Sequence, residues 1–150
     1  MATNEKVKKK IIAAIDWFVI ENVRELRKSK FSQSELSREI GFSDGFIGRV
    51  ENPNQSAVYS LRHLNLIAKA LNVNTVDLLP KNRVDEDLIE VTFKWNPPTK
   101  NKTGEINYEI VEIVALSPEQ VIEYHKKVLN RPTKSGISPK LKKRKSGKQQ

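Results

Sequence analysis

The nineteen residues Gln33 to Glu51, QSELSREIGFSDGFIGRVE, constrain the fold more than any other stretch of this chain. Leu36 and Ile40 lie four apart, as on one face of a helix, and Ile47 and Val50 lie three apart on a second. Between them stands Gly41, where a left-handed backbone is easiest to adopt and a helix most readily ends. The spacing therefore predicts two short helices crossed through one tight turn, with four apolar side chains pointing into the angle between them. Both starts carry local signals: Ser32 followed by Glu35 reads as a capping box, and Ser43 as the N-cap of the second helix. Asn52 before Pro53 ends that helix.

From about Val23 to Pro80 the chain resembles the Cro/CI-type helix-turn-helix family, the lambda-repressor-like or XRE proteins. The resemblance is carried by the helix pair, by the lead-in VRELRKSKFSQ, by VEN at 50 to 52, and by LNLIAKALNVNTVDLLP at 64 to 80. Two departures stand out. The connection from Arg27 to Gln33 is one residue shorter than usual in the family, and Ser37 occupies a place where a small alanine is common.

The resemblance implies that the second helix of the pair enters the DNA major groove with its N-terminal residues toward base edges. With Ile47 and Val50 turned inward, Asp44, Gly45, Gly48 and Arg49 face outward. Arg49 is the best candidate base reader, because a guanidinium can bond guanine O6 and N7 together. Asp44 can accept from cytosine N4 or favour the helix start. Gly45 and Gly48 carry no reading atoms; their placement suits close backbone approach. Phe46 is placed to touch a thymine methyl or to cover the core edge. Gln33, Ser43 and Asn52 match the family's phosphate-contacting positions, and Arg27 and Glu51 its structural ion pair.

Composition sets the frame around this motif. With 150 residues, 37% of them hydrophobic, the chain can bury one modest core and an appendage. Cysteine is absent, which excludes disulfides, thiolate metal sites and thiol redox chemistry. The net charge is +9, but residues 131 to 150 hold eight of the 27 basic side chains and no acid, leaving 19 basic against 18 acidic elsewhere. That tail, with Lys140, Lys142, Lys143, Arg144 and Lys145 at its centre, reads as a disordered strand supplying nonspecific attraction to DNA.

Apolar residues at Val7, Ile11, Ile15, Phe18 and Leu26 predict one long first helix from about Glu5 to Lys28. Leu61 to Leu71 reads as a fourth helix, and Thr75 to Leu79 as a short fifth. Residues 81 to 87, KNRVDED, read as a charged linker. The period then changes to two: Ile89, Val91, Phe93 and Trp95 alternate with polar residues over Leu88 to Trp95. A second strand follows at about Ile106 to Leu116, its phase change at Val111 suggesting a bulge. Ser117, Pro118 and Gln120 open a final helix with an apolar stripe from Val121 to Leu129.

The expected fold is thus mostly α: a five-helix lambda-repressor-like domain over residues 1–80 with an extended first helix, then a β-hairpin and C-terminal helix over 88–130 and the basic tail. The hairpin and helix read as a dimerisation or partner-binding element. No nucleophile elbow, phosphate loop or paired catalytic carboxylate appears, and His63 and His125 stand alone, so neither enzyme chemistry, a metal nor a cofactor is expected. The expected partners are double-stranded DNA and a second copy of the chain, with a protein partner as the alternative. The start KVKKKIIAAIDWFVI imitates a secretory signal, but Asp16 interrupts it; a cytoplasmic protein, bacterial or phage-encoded, with no membrane partner is expected.

Overall fold

A computed structural model describes residues 6–95 and 108–130. In chain order it has β1 (Val7–Ala13), α1 (Ala14–Lys28), α2 (Gln33–Glu39), α3 (Phe46–Glu51), α4 (Leu61–Leu71), a 3-10 turn (Thr75–Leu78), β2 (Leu88–Trp95), β3 (Tyr108–Ala115) and α5 (Pro118–Leu129). The strands form one antiparallel sheet in the order β1-β2-β3.

This corrects the mostly helical architecture expected from the sequence. The fold is mixed α/β, and the extended first helix does not exist: residues 7 to 13 are a strand, and the fifth helix is a single 3-10 turn. The physical reason lies in VKKKIIA, where Val7, Ile11 and Ile12 satisfy a helical spacing but are β-branched and stiff at χ1. Strand β2 offers those seven residues a complete ladder, from Val7 opposite Lys94 to Ala13 opposite Leu88. Pairing across some eighty residues of sequence outweighs a local periodicity that fits both structures. The helix begins only at Ala14, whose backbone N–H donates to the Asp87 carbonyl at 2.9 Å.

One core serves α1 to α4 and the inner face of the sheet. Ile12, Ile89 and Val91 join Trp17, Ile20, Val23, Leu36, Ile47, Val50, Leu64, Ile67, Leu71 and Leu78 in it. Within the sheet the register of β3 shifts between Thr92 and Phe93, so that Val111 bulges where the sequence changes phase. The chain divides into two units after Leu116. In the second, α5 carries the expected Ser117 capping box with Gln120 and Pro118 in its first turn, and none of its residues is buried. The basic tail, the start of the expected second strand at Ile106, and Glu5 lie outside the described residues.

Candidate nucleic-acid interface

Helices α2 and α3 cross through a turn in which Gly41 takes φ +81°, the left-handed conformation that its lack of a Cβ allows. Leu36, Ile40, Ile47 and Val50 are all buried in the angle. The start of α2 is capped as its sequence dictates: Ser32 Oγ accepts from Glu35 N at 3.1 Å, and Glu35 returns the bond to Ser32 N at 2.8 Å. The Ser32 amide holds the Glu35 carboxyl below the usual range.

The start of α3 is built differently from the expectation. Its N-cap is Gly45, and Ser43 does not cap it; the Ser43 carbonyl closes a turn with Phe46 N at 2.9 Å, and its hydroxyl receives Arg49 Nη2 at 3.4 Å. The missing cap comes from the preceding helix. Buried Ser37 donates to the Gln33 carbonyl at 2.7 Å and accepts from Ile47 N at 3.0 Å. A hydroxyl on α2 thereby satisfies an orphan donor in the first turn of α3 and fixes the two helices against each other. The only trace of this in the sequence was a serine standing where alanine is common.

At the far end of α3, Arg27 and Glu51 form a two-pronged pair, Nε to Oε1 and Nη2 to Oε2, both at 2.8 Å, with each side chain 1% exposed. Arg27 also donates to the Phe31 carbonyl at 3.1 Å, and Gln33 Nε2 to Glu51 Oε2 at 2.7 Å. A buried pair of this geometry holds the ends of three elements in one register, because either charge without the other would be desolvated and uncompensated.

The structure brings five of the eight predicted DNA-contacting residues, with Glu51, to one surface. Gln33, Gly45, Gly48, Arg49, Glu51 and Asn52 line a shallow concavity of about 190 Å³. Arg49 and Gly45 are exposed there, and Asp44 lies outside it, 3.8 Å from Arg38. Gly48 has a reason beyond backbone approach: a Cβ there would come within 3.2 Å of Gln33 Oε1, on the amide that bonds Glu51. Phe46 turns away toward the core edge, stacked on Phe42 with ring centroids 4.7 Å apart and equally near the His63 ring. His63 itself is no bystander, since its Nδ1 accepts from Ser60 N at 3.0 Å in the capping box of α4. Lys140, Lys142, Lys143, Arg144 and Lys145 lie outside the described residues.

Two features of this surface were missed from the sequence. Tyr108, at the start of β3, forms the remaining wall of the concavity. It is held by Arg24, whose guanidinium both bonds its hydroxyl and lies 4.5 Å from its ring centroid, and it donates to Glu21 at 3.3 Å. Burial pushes its hydroxyl pKa up against the pull of Arg24. The second is β1, whose Lys8 and Lys10 reach the loop after α3. Nothing local marks either, because both positions depend on strand register.

Among the described residues no group of three or more His, Cys, Asp or Glu side chains is placed to hold a metal ion, and no helix is long and apolar enough to cross a membrane. No family model and no curated protein matches the sequence. Among solved structures, the chain is similar to a hypothetical transcription factor, NHTF, from Neisseria. The similarity has 28% identity and a TM-score of 0.39, over 44% of this chain and 75% of that one. A superposition that loose does not establish a common fold.

Proposed function

We propose that this protein is a sequence-specific DNA-binding regulator of the Cro/CI-like kind, which occupies an operator as a dimer and so excludes polymerase. The observation that carries the reading is the rigid presentation of α3: Ser37 fixes its start, the Arg27–Glu51–Gln33 network fixes its end, and Arg49, Gly45 and Asn52 are left facing outward. A reading element must hold its side chains within a fraction of an ångström of the groove's donors and acceptors, and this one is braced at both ends. Selection of duplexes from a random library by the full chain tests it. A defined half-site is expected, and Arg49→Ala should weaken specific binding by about 1 to 3 kcal/mol and relax preference at one base pair. Unchanged preference would remove Arg49 from the readers; no enrichment at all would end the proposal.

Dimer formation draws support from apolar surface that the chain leaves open. Ile15 and Phe18 of α1 and Val76 of the 3-10 turn are exposed, as are Val111, Ile113 and Val114 on the edge strand β3. Sedimentation of the full chain without DNA decides it, a monomer at high micromolar concentration counting against it. The exposed Ile122, Val128 and Leu129 of α5 favour a second reading, an antitoxin-like protein that regulates itself through α3 and binds a protein partner through residues 88 to 129. Its mark is a defined second protein retained by the full chain and lost when Ile122 and Leu129 become glutamine.

A further inference from the structure

The loop that leaves α3 is gripped from the sheet. Asn52, on the wall of the outward-facing concavity, accepts from Asn54 N through its Oδ1 at 2.9 Å and from Gln55 N through its carbonyl at 2.9 Å. This tight turn keeps residues 54 and 55 beside the end of the helix. Against it lie two side chains of β1: Lys8 Nζ donates to Asn54 Oδ1 at 3.0 Å, and Lys10 Nζ to the Gln55 carbonyl at 2.6 Å. The alternation of the strand sends Lys9 to the other face, where it pairs with Glu90 at 3.2 Å. One strand thus sorts three consecutive lysines, two toward the end of α3 and one away from it.

We propose that Lys8 of β1, exposed and seated on Asn54, forms a second phosphate-binding patch on the duplex, continuous through Asn52 with the exposed face of α3, while half-buried Lys10, which faces Asp16, braces the turn through the Gln55 carbonyl. This rests on the reading of α3 as a DNA-contacting helix. Asn54 is two residues from Asn52, so their Cα atoms are at most about 7 Å apart. Duplex DNA carries one charge per ~1.7 Å of axis, so an ammonium hydrogen-bonded to a residue that near a helix in the groove still has backbone phosphate within reach. An ammonium group on a paired strand is also better positioned than a lysine on an unpaired segment, because the sheet has already fixed its backbone. The patch carries no base information; it sets register and affinity while α3 reads.

The test is the salt dependence of binding by the full chain, on duplexes chosen by site selection, for wild type, Lys8→Gln and Lys9→Gln. Each phosphate neutralised contributes about 0.9 to the slope of log affinity against log salt. Lys8→Gln should therefore lower the slope by about 0.9, so that the affinity ratio between 50 and 200 mM salt shrinks roughly threefold to fourfold, with base preference unchanged. Lys9→Gln should keep the wild-type slope. Asn54→Asp, which leaves the strand intact, should weaken binding most at low salt by setting a carboxylate beside the same phosphate, and it serves if Lys8→Gln disturbs folding. Equal slopes for wild type and Lys8→Gln, or equal losses in Lys8→Gln and Lys9→Gln, overturn the patch while leaving α3 as the reader. A wild-type chain that selects no duplex overturns both.

Discussion

The junction of α1, α2 and α3 and the pair β3 and α5 stand at opposite ends of a scale of closure. At the junction even the charges are sealed: Arg27 and Glu51 are 1% exposed, and Val23, Leu36 and Ile47 are fully buried around them. In β3, Val111, Ile113 and Val114 are each about half exposed, and no residue of α5 is fully buried. Both regions are similarly apolar in sequence. The difference teaches that hydrophobic pattern tells which face seeks cover, while the supply of covering surface decides which face finds it. The first region is closed within the chain; among the described residues the second leaves apolar surface open.

The largest expected effect tests the sealed end. Glu51→Ala takes the carboxylate from a buried guanidinium and should cost about 3 to 5 kcal/mol in denaturant unfolding, a large share of the roughly 5 to 15 kcal/mol that holds an ordinary domain folded. A loss under about 1 kcal/mol would show that water reaches the junction. The next compares the two ends directly. Leu36→Ala should cost about 2 to 5 kcal/mol, whereas Ile113→Ala on β3 should cost less than about 1. If the two losses match, and the Ile113 loss grows with protein concentration, β3 is covered in solution by a second copy and the contrast belongs to the isolated chain alone.

A smaller effect of opposite sign is expected at Tyr59. Its hydroxyl is buried, has no hydrogen-bond partner among the described residues, and is held above its ordinary pKa by that burial, with Glu51 adding to the rise and Arg27 opposing it. Tyr59→Phe removes the orphan group without opening a hole and should raise stability by up to about 1 kcal/mol; a fall would reveal a partner for the hydroxyl. The smallest effect is a pH dependence at His63. Desolvation, with Arg62 adding to it, lowers its pKa in the folded state from the ordinary 6.5. As pH falls through that unfolded value the unfolded chain gains the proton first, so stability declines on the acid side and is complete above it. His63→Gln can keep the capping box with Ser60 and should flatten that decline between about pH 7.5 and 5.5. A decline identical to wild type would assign it to other groups.

Legibility followed the range of the interaction. The turn at Gly41, the caps at Ser32 and Ser117, the Arg27–Glu51 pair and the outward set on α3 were readable, since each depends on residues a few positions apart or on a recurring motif. Ser37 was visible as a departure, but its role appears only once α3 is packed beside it. The N-terminal strand was misread for a specific reason: Val7, Ile11 and Ile15 suit a helix, and the competing ladder lies some eighty residues away.

The sequence by itself determined where chain direction changes and which short helices form, because φ preferences, caps and apolar spacing act within a few residues. Only the tertiary structure decided that residues 7 to 13 would be a strand, that Lys8 and Lys10 would face the end of α3 while Lys9 faces away, and that Tyr108 would wall the surface beside Arg49. Strand register assigns faces with a period of two, and a register set by distant partners is invisible to any local window.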